Sequence, residues 1–432
     1  MALDAPTLWT SISITEYHTE GAREAVRTYL DRSKTCPIFL TWFSKHEHPS
    51  GSTRAVIENL IIPRAERWQR ITLISGTDFA PVALLIAMAS FDFTVLQDIE
   101  ISSLLENLPP IKPNFLCRSA PLLRRCRLRG GLSLPSLPSN LVVLDYVCSA
   151  LGRMELNLDP LLEFLPHVSH SLEHLRFGPP SEARSTPRTS KIPLENLKSL
   201  LLENSHAIMN HILTPNLAYF AASHPHGVDA RAAAEMFEGF SAPMLKSIQF
   251  HDIPLQPVLA SHYLPSIFPQ LESVVLFGCS DQSAFVDLLE PPKPKNPSSL
   301  QQASKHPPNH RKVENPFPSL KELTISDVRI WTSLQATIKN RLKNGDKSLR
   351  KIWLPKGELT KTVLDLHQWL TAQGIELVLY KPEELSTSAP VFQDYFCDKE
   401  KSIFLEVMDE SDWEADNGYE DWEEDDNCEG WE

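Results

Sequence analysis

The sequence predicts an α/β fold, a solenoid in which short parallel strands alternate with returning helices in a curved array, the helices outermost. Three observations lead there: one apolar phrase recurs along the chain, stretches of helical periodicity fall between its copies, and no copy can close a core alone. The clearest copy is FPQLESVVLFGC, Phe268 to Cys279, with Leu271, Val274 and Leu276. A leucine, two spacers, an apolar residue, one spacer and another apolar residue end in the period of two that sends alternate strand side chains into a core. The phrase returns at Leu96/Ile99/Ile101, Leu123/Cys126/Leu128, Leu141/Leu144/Tyr146, Leu172/Leu175/Phe177, Leu197/Leu200/Leu202, Leu245/Ile248/Phe250, Leu320/Leu323/Ile325 and Leu349/Ile352/Leu354, with a poorer copy at Leu217/Phe220/Ala222. Copies stand mostly 25 to 31 residues apart, with departures of 18 (Leu123 to Leu141), 20 (Leu197 to Leu217) and 49 (Leu271 to Leu320). Self-similarity at this period marks a leucine-rich-repeat solenoid, whose units bury their apolar faces only by stacking.

The elements follow in order. APTLWTSISI gives Trp9, Ile12 and Ile14 the repeat spacing and reads as the opening strand, within a first segment of residues 1–17. The solenoid then spans 18–380. In TEGAREAVRTYLDRS, Ala22, Val26, Tyr29 and Leu30 share a helical face, and CPIFLTWF is an apolar strand. Thr53 can cap a helix over TRAVIENLI that Pro63 ends, and WQRITLI follows as a strand. APVALLIAMAS before VLQDIEI, DPLLEFLPHVS before LEHLRF, and DARAAAEMFEGF before MLKSIQF repeat the plan. Residues 289–318, rich in proline and polar groups, predict a disordered insertion. TVLDLHQWLTAQ and IELVLY close the array near Tyr380, and residues 381–432 are a linker and a disordered acidic tail.

Composition narrows the classes. The formal charge of −14 sits in the tail: residues 408–432 carry thirteen acidic and no basic residues, which leaves the rest near neutrality. Seven cysteines without a CxxC pair read as reduced thiols, which predicts a cytoplasmic or nuclear protein. The longest apolar run, near Pro81 to Phe91, is too short for a bilayer, and MALDAPTLW lacks the form of a signal peptide. So no membrane is expected as partner, and no nucleic acid either, because the body is nearly neutral and lacks interleaved aromatics on its basic face.

The opening APTLWTSISI, the segment VRTYLDRSKTCPIFLTWF and repeats of the form PxLxxLxL together resemble fungal F-box proteins with leucine-rich repeats. The match runs from residue 5 to about residue 380. The resemblance implies a substrate receptor of an SCF-type ubiquitin ligase, in which an F-box docks on a Skp-type adaptor and its cullin ligase while the repeats hold the target. Only Ala5 to Trp9 of the F-box region has a counterpart here, so no residue is assigned to adaptor binding. Either the chain is truncated or it is a free-standing repeat protein without a ligase link.

The sharpest local feature is LLRRCRLRG. Arg125, Arg127 and Arg129 alternate with core positions Cys126 and Leu128, so all three point away from the core, about 7 Å apart. The same register puts Val143 and Asp145, then His174 and Arg176, on one side of them, and Asp98 and Glu100, then Arg70 and Thr72, on the other. Two readings stand. The arginines pair with Asp98, Glu100 and Asp145 across strands, or Arg70, Arg125, Arg127, Arg129, His174 and Arg176 form a partner-binding inner face for an acidic or phosphorylated segment of a target protein. Trp413, Tyr419, Trp422 and Trp431 lie among the tail carboxylates, so the tail itself is one candidate occupant of that band. His167, His170 and His174 read as solvent-facing beside a turn, not as metal ligands, and Cys279 has no histidine at a base's spacing. With no phosphate-binding loop or dinucleotide fingerprint, no catalytic residue, metal or cofactor is expected.

Overall fold

The computed structural model describes residues 5–15, 20–44, 57–75, 91–103, 120–130, 137–147, 158–178, 190–205, 207–224, 233, 237, 240, 242–261, 264–290, 316–356 and 361–381. The chain divides into two units. Met1–Tyr380 holds every strand found among the described residues, and of Lys381–Glu432 only Lys381 is one of them. The strands are β1 Ser11–Thr15, β2 Ile38–Ser44, β3 Trp68–Ser75, β4 Asp98–Ser103, β5 Arg125–Arg129, β6 Val143–Val147, β7 His174–Gly178, β8 Ile192–Pro193, β9 Ser199–Glu203, β10 Ile212–Leu213, β11 Tyr219–Ser223, β12 Ser247–His251, β13 Ser273–Phe277, β14 Glu322–Ile325, β15 Lys351–Pro355 and β16 Glu376–Tyr380. The two-residue strands β8 and β10 pair with each other. The other fourteen form one all-parallel sheet in sequence order.

The repeat phrase and the sheet share one phase. Leu200, Phe220, Ile248, Val274, Leu323 and Ile352 are register partners along six adjacent strands, and all are buried. Even the poorest copy conforms, with Leu217, Phe220 and Ala222 all in the core. One apolar cluster runs from Ile12 to Ile375, so each unit is closed by its neighbours. The cluster includes Leu161, Leu162, Phe164, Leu165 and Val168 of the helix Asp159–Val168, which places that helix on the core side of the sheet.

Polar groups hold successive turns together where the strands begin. The side-chain amides of Asn140, Asn196 and Asn216, each just before a repeat leucine, donate to the carbonyls of Pro121, His170 and Glu195 at 2.9, 2.6 and 2.8 Å. Each acceptor lies in the preceding turn, so the bonds work between units and not within one. Where strands end, seven residues after the leucine, Asn204, Asp252 and Gly278 all take a left-handed backbone. At Gly278, φ is +63° and a Cβ would come within 2.0 Å of Asp252 Oδ1. Gly278→Ala is therefore expected to cost about 1–3 kcal/mol from backbone strain and displacement of that carboxylate. An unchanged urea midpoint for this variant would contradict the account.

Helices Glu20–Arg32 and Lys361–Ala372 lie where the periodicity puts them. The stretch near Pro63 differs. The described part of the expected helix is a π-helical turn, Ile57–Ile61, and 3₁₀ turns follow over Ile62–Arg67, with Pro63 in the first and a kink at Arg64 just after it. Proline is tolerated there because first-turn amides need no intrahelical acceptor. Arg67 then donates to the Cys36 carbonyl and the Ser33 hydroxyl, tying this unit to the previous one. Both ends of the stretch 289–318, expected to be a disordered insertion, are ordered. Leu289, Pro316 and Phe317 are buried and Phe317 stacks on Phe285 at 5.8 Å, so both flanks belong to the core, and residues 291–315 lie outside the described ones. The helix expected over APVALLIAMAS and the Thr53 cap also lie outside them, as does most of DARAAAEMFEGF.

Candidate functional site: the charged face of the sheet

Parallel pairing carries each face position across the sheet, with one register irregularity between Ile38 and Phe39 where β2 meets β3. One row reads Ser11, Phe39, Arg70, Asp98, Arg125, Val143, His174, Ser199. The next reads Thr72, Glu100, Arg127, Asp145, Arg176, Leu201, and the third places Arg129 beside Val147 and Gly178. All six expected face residues are thus neighbours on β3 to β7, opposite the repeat leucines.

Side-chain geometry makes this band an ion network. Asp145 is 0% exposed and sits among three guanidiniums: Arg129 Nη2 donates to its Oδ2 at 3.0 Å, Arg127 Nε is 3.3 Å from Oδ2, and Arg176 Nε is 3.8 Å from Oδ1. Arg127 Nη1 also donates to Glu100 at 2.6 Å, and Arg176 reaches Glu203 through Nε at 2.9 Å and through Nη2. Asp98 is shared by Arg70 at 3.3 Å and Arg125 at 3.5 Å. Five arginines thus meet four carboxylates. Of the two readings of the arginines, pairing across strands describes Arg125, Arg127 and Arg129, and extends to Arg70 and Arg176.

The two aspartates respond oppositely to the same face. Burial pushes the Asp145 carboxyl up, but Arg129, Arg176 and Arg127 together outweigh it and hold the group below the usual carboxylate range. At Asp98 burial is the larger influence, and the pull of Arg70, Arg125 and Arg127 leaves that carboxyl above its ordinary range. Asp98 charge is therefore stabilised poorly by folding and Asp145 charge well. Asp98→Asn is expected to leave stability at neutral pH within about 0.5 kcal/mol of the parent. A thermal melt showing Asp98→Asn as damaging as Asp145→Asn would refute the distinction.

Two residues were unforeseen or differently placed. Glu203 completes the Arg176 pair because Gly178 leaves it room: a Cβ at Gly178 would stand 3.0 Å from Glu203 Oε2 and 3.2 Å from Val147 Cγ1. The pairing of a glycine with an acid at the same strand position was the available signal. His174 is not solvent-facing. It is 3% exposed, and burial pushes its pKa down to about 4, with Glu173 opposing and Lys198 assisting, so it is a neutral face residue at physiological pH. His167 and His170 are exposed as expected.

From β11 to β13 the same face carries little charge, with Tyr219, Ala221, Gln249, Val275 and Phe277 on it, and charge returns at Glu322, Lys351 and Glu376 on β14 to β16. Cys126 and Cys279 are buried on the core side, and burial pushes the Cys279 thiol up to about 12, which makes it a poor nucleophile. Among the described residues no group of three or more His, Cys, Asp or Glu is placed to hold a metal, and no helix is long and apolar enough to cross a membrane. No protein-family model matches the chain, and no curated protein matches it.

Proposed function

We propose that this chain is a non-catalytic recognition scaffold of the leucine-rich-repeat type, which binds a target protein on the sheet face opposite its core. The reading rests chiefly on one observation: fourteen parallel strands in sequence order present rows of side chains, and from β3 to β9 those rows are an ordered array of guanidiniums and carboxylates. Such a surface suits a partner longer than one repeat, because contacts add along the array. The arginines favour a target with an acidic or phosphorylated segment. Placing a photo-crosslinking residue at Phe39, Leu201, Phe277 or Trp353 on the face is expected to capture the same partner in cells, whereas Glu163 and His167 on a helix are not. Crosslinks confined to the helix positions would defeat the reading.

The finer proposal is a substrate receptor of an SCF-type ubiquitin ligase, working in the cytoplasm or nucleus. It rests on the resemblance quoted above, and Pro6–Trp9 forms a 3₁₀ turn leading directly into β1. Co-purification of a Skp-type adaptor and cullin with the full chain supports it. Their absence, with target capture retained, favours a free-standing scaffold.

A further inference from the structure

The network's members are not equally committed. Asp145 is fully enclosed by Arg127, Arg129 and Arg176, and the Arg127 side chain is only 17% exposed. These arginines hold the face together through Asp145, and the side chains of Arg129 and Arg176, 32% and 23% exposed, are also more enclosed than that of Arg125. Arg125 differs. Its side chain is 50% exposed, and among the described residues its ion pair is a 3.5 Å approach to Asp98, a carboxylate that Arg70 already engages.

The same row holds a second exposed feature. Phe39 is 37% exposed, unusual for a large apolar strand residue, and it points to the same face as Arg125. Phe39, Arg70, Asp98 and Arg125 occupy four successive strands, so Phe39 and Arg125 lie three inter-strand spacings apart, about 14 Å. An extended peptide rises about 3.3 Å per residue, so about four residues cover that distance.

We infer that the partner docks on this end of the face as an extended segment crossing the strands, its acidic group on Arg125 and an apolar side chain about four residues away on Phe39. The inference rests on the recognition reading and deepens it: Arg125 and Phe39 make the contact, and Arg127, Arg129 and Arg176 serve as the frame beneath it. A carboxylate and a phosphate would both satisfy Arg125, since each accepts from the guanidinium fork.

The test uses the full chain at low ionic strength and fluorescent Gly/Ser-based peptides carrying one leucine and one glutamate, or one leucine and one phosphoserine, one to seven residues apart. Fluorescence anisotropy is expected to show the tightest binding at a separation of about four, weakened about tenfold by Arg125→Gln and again by Phe39→Ser, with thermal stability unchanged. The glutamate and phosphoserine series show which anion is preferred. Affinity independent of spacing, no binding by either series, or binding that survives Arg125→Gln overturns the inference. Crosslinking from the face positions would still stand in that case and keep the recognition reading, whereas crosslinks only from the helix would remove the latter.

Discussion

Asp145→Ala is expected to be among the most damaging single substitutions on the strand face, costing about 3–5 kcal/mol. The side chain is completely buried and three guanidiniums converge on it. Removing it leaves Arg127, Arg129 and Arg176 in a poorly solvated place without the carboxylate all three share, Glu100 staying on Arg127 and Glu203 on Arg176. The loss is mainly the cost of stranded positive charge, which exceeds what the intact cluster contributes relative to an apolar one. Because units of a stacked array couple chiefly to their neighbours, hydrogen exchange should rise most in β5, β6 and β7. The pH dependence has a definite sign. Asp145 has its folded pKa held below the unfolded value, so its contribution is complete above the unfolded pKa, near 4, and is lost as pH falls through the folded value. Asp145→Asn should therefore differ most from the parent at neutral pH and converge with it in strong acid. Equal destabilisation at all pH values would assign the effect to shape instead of charge.

The placement of this network was legible in the sequence, and its chemistry was only partly so. Parallel strands with a common repeat phase fix which residues become lateral neighbours, and a period of two fixes their side; those two facts align Arg70, Asp98, Arg125, Val143 and His174 before any coordinates exist. Whether a neighbour is a partner depends on side-chain reach and burial, which periodicity does not encode. Arg125 and Arg127 are two residues apart in the same pattern, yet one side chain is 50% exposed and the other is held between Glu100 and Asp145. His174 sat in a correctly anticipated row and was still misjudged, because its burial comes from what surrounds that row. The asparagine bonds between turns illustrate the reverse: Asn140, Asn196 and Asn216 precede their leucines in plain sight, but a search for apolar phase passes over polar residues.

Arg341→Met is expected to cost about 3–5 kcal/mol although methionine fills much the same volume. Arg341 lies near the end of the helix Trp331–Lys343 with its side chain 3% exposed, paired with the equally enclosed Asp346. Its guanidinium also donates to the carbonyls of Pro316 at 2.9 Å and Phe317 at 3.1 Å, and stands 3.5 Å from that of Leu289. Those three carbonyls belong to the chain on either side of residues 291–315, so one planar fork fastens both flanks of the longest interruption in the repeat. Methionine would leave Asp346, among the described residues, with the Ser348 amide and hydroxyl, and would take the guanidinium donor from the Pro316 carbonyl at about 1–3 kcal/mol, while the Phe317 carbonyl keeps the Leu320 amide. Lysine is not an adequate substitute, because a single ammonium cannot span acceptors that the guanidinium reaches through separate nitrogens. The double change Arg341→Met with Asp346→Ser removes the stranded carboxylate and should recover part of the loss, a coupling measurable by a double-mutant cycle. If Arg341→Met instead melts with the parent and shows no added proteolysis at Leu289 or Phe317, the fork does not hold the two flanks, and stacking of Phe317 on Phe285 must do so alone.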